Sequence, residues 1–203
     1  MKYLAIDTSG KNLTIAVCNG TSPLVYSDEN CGVKHSVEVM VKTEEMLNKI
    51  NLTLDDLDFI ATVVGAGSFT GIRIGVSTVK ALCFAKNLPY LSITSFDTIA
   101  YNKKSGKVMA IINAGHGGFY ACGYSDGKVI LPPCYILKED LLPLNAEYEF
   151  LAFEEIEGLN VTVVSVAEGL IEAIESNLDK VSSNLDDLAP LYVRKSQAEE
   201  GRP

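Results

Sequence analysis

The stretch Gly65-Ala66-Gly67-Ser68-Phe69-Thr70-Gly71 is the densest chemical signal in the sequence. It joins an apolar strand to a long helical pattern. Such a turn can aim free backbone N–H groups and the positive end of a helix at a phosphate. It is not a P-loop, because no Lys-Ser or Lys-Thr follows at the required spacing. Thr70 stands where the third glycine of G-x-G-x-x-G belongs. The same residues also fit a tight turn whose helix is capped by Ser68 or Thr70. Sequence alone leaves both readings open. Asp7, at the end of the first strand pattern, could organise a metal-nucleotide or hold the following turn.

Other catalytic patterns fall away. Ser77-Thr78-Val79-Lys80 has the S-x-x-K spacing without its companion motifs, inside an apolar helix. The two histidines, His35 and His116, have no second ligand at metal spacing; Val39 occupies the place where an H-x-x-x-H pair would need its partner. Cys18, Cys31, Cys83, Cys122 and Cys134 form no C-x-x-C pair and read as small buried apolar residues. No catalytic residue, metal site or cofactor is expected.

The elements that would hold these residues begin with three β-rich segments, 2–7, 12–18 and 23–28. Asn19-Gly20 between the last two is a hairpin signal. A helix follows at 34–50, then a strand at Phe59–Val64, the glycine-rich turn, a helix at 69–86 and a strand at 90–94. Antiparallel strands followed by β-α-β units imply a mixed α/β sheet with flanking helices. Thr94 or Ser95 caps a short helix to about Tyr101. The polar run 102–106 is the boundary between a lobe at 1–103 and a smaller one at 104–203. The second lobe opens on a strand at 107–112 and a hairpin at Asp126-Gly127, which Pro132-Pro133 ends. A strand at 160–165, a helix at 166–178 and an irregular stretch with a mobile polar tail, Lys195 to Pro203, complete it. No internal repeat is visible.

Both first-lobe helices carry more apolar surface than one core consumes. Over 34–50, Val39, Met46 and Ile50 make one stripe and Val37, Met40, Val41 and Leu47 a second. Over 69–86 the apolar residues surround nearly the whole axis, with Arg73, Ser77 and Lys80 as the polar line. A docked helix needs a stripe of only about 100°. The excess predicts a subunit interface, with Val37, Met40, Val41, Leu47, Ile72, Val76, Val79 and Cys83 as its apolar contact. Glu44, Arg73 and Lys80 set register and partner choice. Gly71 and Gly75 permit close backbone approach. A lone chain should pair with itself through the same surface as a two-fold homodimer.

Composition narrows the function classes. The chain has 203 residues, 47% hydrophobic, with a formal net charge of −9. The charge is uneven: residues 1–100 carry 8 basic and 10 acidic groups, residues 101–203 carry 9 and 16. Such a surface repels a phosphate backbone, so contact with nucleic acid should pass through a partner. No apolar run is long enough to span a bilayer and no secretory signal opens the sequence. A cytoplasmic protein with no membrane partner is expected.

The motifs Ile6-Asp7-Thr8-Ser9, His35-Ser36, Gly65 to Gly75 and Pro190 to Glu199 resemble those of the bacterial TsaB (YeaZ) family. The likeness runs from Met1 to about residue 125 and returns near 187–199. It implies an actin-like ATPase (ASKHA, ribonuclease-H-like) fold in two lobes. It also implies a non-catalytic scaffold in the N6-threonylcarbamoyladenosine modification of tRNAs that read ANN codons. By the same likeness, the chain would bind and activate a TsaD-type transferase through the two first-lobe helices. A TsaE-type ATPase would join the pair, and tRNA would be met through the complex. Ala66 replaces a usual proline. Asn113 to Tyr120 replaces a stretch usually like Asp-Ala-Arg-x-x-Glu-Val-Tyr. The rival readings are a stand-alone ATP-binding kinase or ATPase using Asp7 and the Gly65–Gly71 turn, and a peptidase, for which no nucleophile-base pair is visible.

Overall fold

Two five-stranded mixed sheets with flanking helices make up the computed structural model, which describes residues 1–29, 31 and 34–194. The tail Lys195 to Pro203, read as mobile, lies outside the described residues, and so does the family-like run Lys195 to Glu199. In the first sheet, β1 (Lys2–Asp7), β2 (Leu13–Asn19) and β3 (Leu24–Asp28) form an antiparallel meander. β4 (Phe59–Val63) and β5 (Tyr90–Ile93) then add parallel to β1, giving the order β3-β2-β1-β4-β5. The helices α1 (His35–Lys49) and α2 (Phe69–Lys86) match their expected spans closely. Alternation along β1 splits the core. Leu4 and Ile6 face α1 and α2, while Tyr3 and Ala5 face the other way.

The second sheet repeats this plan without repeating the sequence. β6 (Lys107–Gly115), β7 (Gly118–Ser125) and β8 (Lys128–Leu137) form its meander, and β9 (Glu149–Ala152) and β10 (Thr162–Val163) add in parallel. The order β8-β7-β6-β9-β10 is the first sheet's order again. Each sheet is followed by a helix: α3 (Ser95–Ala100) after β5 and α5 (Val166–Ser176) after β10. These two cross over. Phe96 and Ile99 of α3 pack on the second sheet, and Leu170, Ala173 and Ile174 of α5 pack on the first. Gly169 makes the crossing close, since a Cβ there would overlap the Thr98 carbonyl. Among the described residues, the second sheet's outer face is covered by a short helix, α4 (Lys138–Leu141), the turn after it and the loop carrying Ile156 and Leu159.

Several local expectations need correction. Pro132 and Pro133 do not end a strand: β8 runs through both, because it is an edge strand where a missing N–H costs no ladder bond. Asn19 does not share the hairpin's left-handed geometry; the φ of 97° belongs to Gly20, in a four-residue connection. Asp126 and Gly127 do both take positive φ, at 50° and 75°. The strand expected at 160–165 shrinks to two residues. The stretch beyond 182 is irregular yet anchored: Leu188 is buried, and Leu191 N–H donates to the Val64 carbonyl at 2.7 Å.

Candidate functional site

The helices α1 and α2 lie side by side on one face of the first sheet, and their burial divides the expected interface residues in two. Val37, Met40 and Val41 stand outward, 68%, 46% and 50% exposed, with Glu44 exposed one turn on. Five other expected contacts are buried inside the chain: Leu47, Ile72, Val76, Val79 and Cys83 all belong to the core against β1, β2 and β4. The expectation that they meet a partner is corrected. The sheet itself consumes the stripe 72, 76, 79 and 83 of α2.

The glycines explain how. Gly71 and Gly75 do permit close approach, but the approaching backbone is this chain's own. A Cβ on Gly71 would overlap the Thr8 carbonyl, and one on Gly75 would lie 2.6 Å from Thr8 Oγ1. Thr8 Oγ1 donates to the Gly71 carbonyl at 2.7 Å, so α2 is seated on the end of β1. What α2 turns outward is Thr70, Arg73, Ser77, Ala81 and Phe84. Phe84 is 79% exposed and was not among the expected contacts. Its signal was available: it continues the polar line of Arg73, Ser77 and Lys80 at helical spacing.

Two of the expected register residues are engaged by the chain's own C-terminal strap. Arg73 Nε donates to the Tyr192 hydroxyl at 2.7 Å, and its guanidinium lies 3.7 Å over the Phe69 ring. Phe69 and Tyr192 stack with centroids 4.8 Å apart. Lys80 Nζ donates to the Leu188 carbonyl at 3.3 Å. The strap thus extends the outward face of α2.

The glycine-rich turn and Asp7 sit elsewhere, lining a cleft between the sheets. Ser68 is the N-cap of α2, its Oγ accepting from Gly71 N–H at 3.2 Å. Ser68 N–H donates to the Ser9 carbonyl at 2.7 Å, and a Cβ on Gly67 would run into that carbonyl. The turn is therefore folded onto the β1–β2 connection. Asp7 organises that connection: its Oδ1 accepts from Ser9 N–H at 2.8 Å and Ser9 Oγ–H at 2.7 Å. Burial raises the Asp7 pKa above the ordinary carboxylate value, and the two Ser9 bonds offset part of that rise. His35 is buried and its Nε2–H donates to the Asn12 carbonyl at 3.2 Å. Among the described residues no three His, Cys, Asp or Glu side chains converge as a metal site. Burial pushes the Cys83 and Cys122 thiols up to about 12, a direction that leaves them unreactive. None of the described helices is long and apolar enough to cross a membrane.

Comparison with known proteins agrees with the arrangement. Residues 27–154 match the sequence model of the family described as TsaD, tRNA N6-adenosine threonylcarbamoyltransferase. The tRNA threonylcarbamoyladenosine biosynthesis protein TsaB of Bacillus subtilis (strain 168) is 27% identical, over 98% of this chain and 96% of its own. A tRNA N6-adenosine threonylcarbamoyltransferase of Bacillus thuringiensis (strain Al Hakam) is 39% identical over 59 residues, which are 29% of this chain and 17% of that one. A crystal structure of a Pseudomonas aeruginosa protein with similarity to peptidase YeaZ superimposes with a TM-score of 0.80 at 20% identity, covering 95% of this chain and 99% of the other. The fold is thus the α/β fold of that YeaZ-like structure, and the chain belongs to the TsaB (YeaZ) family, with residues 27–154 also matched by the TsaD model.

Proposed function

We propose that the chain is the non-catalytic scaffold subunit of the machinery that makes N6-threonylcarbamoyladenosine in tRNA, working in the cytoplasm by binding and activating a TsaD-type transferase. The observation that carries this reading is the outward apolar face of α1, Val37, Met40 and Val41, together with Phe84 on α2. Burying each such side chain against a partner is worth about 1.5–3 kcal/mol. The family relation gives the partner its shape: a related chain would present a related helix pair. The two pairs would then close around an approximate two-fold axis, as in an isologous dimer. The same logic gives a homodimer when the chain is alone. A TsaE-type ATPase would join the assembled pair, and tRNA would be reached through the complex rather than by this acidic chain.

The test is genetic and chemical. In cells lacking this chain, tRNA nucleosides are measured by mass spectrometry. Wild-type complementation should restore N6-threonylcarbamoyladenosine, and Met40→Glu should not. Full restoration by Met40→Glu together with Phe84→Lys would remove the proposed interface.

A further inference from the structure

The cleft between the sheets holds a cavity of about 580 Å³, within the size range of small-molecule sites. It lies at the C-terminal ends of the two central strands, where Asp7 ends β1 and Asn113 nears the end of β6. Its second-sheet wall carries Ile112 and Phe153, which face the inner side of that sheet, beside the polar Asn113 and Glu154. Asp7 is the buried charge in its floor. Ser95 Oγ–H donates to Ser9 Oγ at 3.1 Å, and Ser9 in turn donates twice to Asp7 Oδ1. This relay fixes the carboxylate while Oδ2 keeps no hydrogen-bond partner among the described residues. Two basic side chains line the cavity: His35 acts on Asp7 through space while donating to the Asn12 carbonyl, and Lys11, at the rim, is held by Glu154 at 2.6 Å across the cleft. A desolvated, oriented carboxylate in one cavity with Ile112 and Phe153 is matched by one kind of guest. A phosphate would meet Asp7 head-on, and Lys11 is already engaged. A bare divalent cation would find Asp7 and a Glu154 already paired with Lys11, where it needs several donors.

The geometry points to a binding site for a small organic ammonium in this cleft, its cationic head on Asp7 Oδ2 and its apolar body against Ile112 and Phe153. The site is separate from the outward helix face and stands or falls without it. Isothermal titration of the full chain uses 2-phenylethylammonium as the probe, 2-phenylethanol as its neutral counterpart, and Mg-ATP as the phosphate competitor. The ammonium should bind, and the alcohol should bind at least about tenfold more weakly. Asp7→Asn, whose amide oxygen can still accept from Ser9, should reduce the ammonium to the alcohol's affinity. Ile112→Trp, which fills the cavity, should abolish binding of both. Equal affinities in the wild type, an unchanged ammonium affinity in Asp7→Asn, or no ammonium binding up to about 10 mM would overturn the assignment. Displacement of the ammonium by Mg-ATP would overturn it in favour of a nucleotide site.

Discussion

The Arg73 guanidinium is stacked on Phe69 of its own helix and donates at 2.7 Å to the hydroxyl of Tyr192, 119 residues further along the chain. This contact ties the C-terminal strap to the start of α2. A cation–π pair with a charged hydrogen bond at a surface site contributes about 0.5–1 kcal/mol. A double-mutant cycle on Arg73→Ala and Tyr192→Phe, read by urea denaturation, should return a coupling of about that size. A coupling indistinguishable from zero would mean that Leu188 and Leu191 hold the strap by themselves.

Gly71 is where α2 touches the backbone of Thr8, so the small side chain of alanine is already too large. Helix propensity alone favours Gly→Ala by about 1 kcal/mol. Overpacking against a backbone carbonyl opposes it and should prevail. Gly71→Ala is expected to destabilise the fold by about 1–3 kcal/mol, measured by chemical denaturation. A stabilised variant would show that α2 can lift away from β1.

Asp7 sets a pH dependence with a definite sign. Its pKa is raised in the folded chain, chiefly because burial penalises the charged form. The folded state therefore holds this proton more tightly than the unfolded state. The resulting stabilisation is present below the ordinary carboxylate range and is lost as pH rises through the raised value. At neutral pH the group is a liability. Asp7→Asn should melt at a higher temperature than wild type near pH 7, with the advantage shrinking toward about pH 4. A constant difference across that range would place the charge in a better-solvated setting than the fold provides.

The sequence made α1 and α2 legible almost to the residue, because helical spacing, the Ser68 cap and the glycine turn all agree on their bounds. It did not reveal which side of α2 faces home. Ile72, Val76 and Phe84 are equally apolar in sequence, and only the position of β1 and β4 decides that the first two are core and the third is surface. Val37, Met40 and Val41 were legible because α1 also carries an inner stripe in Val39 and Met46, leaving the second stripe, apart from Leu47, without a home. The duplicated sheet plan was invisible. Strand order is fixed by which edges pair, and the Ala-Ile common to Leu4-Ala5-Ile6 and Met109-Ala110-Ile111 is too short to signal a repeat. The strap was read as irregular, which it is, but its anchoring rests on contacts between distant positions such as Leu191 with Val64.

Burial also separates a fold defect from an interface defect. Val76→Asp places a charge in the core and should unfold the chain, so lost association in that variant carries no information about the interface. Met40→Glu and Phe84→Lys alter exposed positions and should leave the melting temperature within about 1–2 °C of wild type.

Surface plasmon resonance between the purified chain and a TsaD-type transferase from the same cell therefore tests the account most directly. Met40→Glu combined with Phe84→Lys should weaken binding by at least about 100-fold while the fold melts normally. Binding at wild-type strength by that double variant would contradict the assignment of the α1–α2 face as the partner surface.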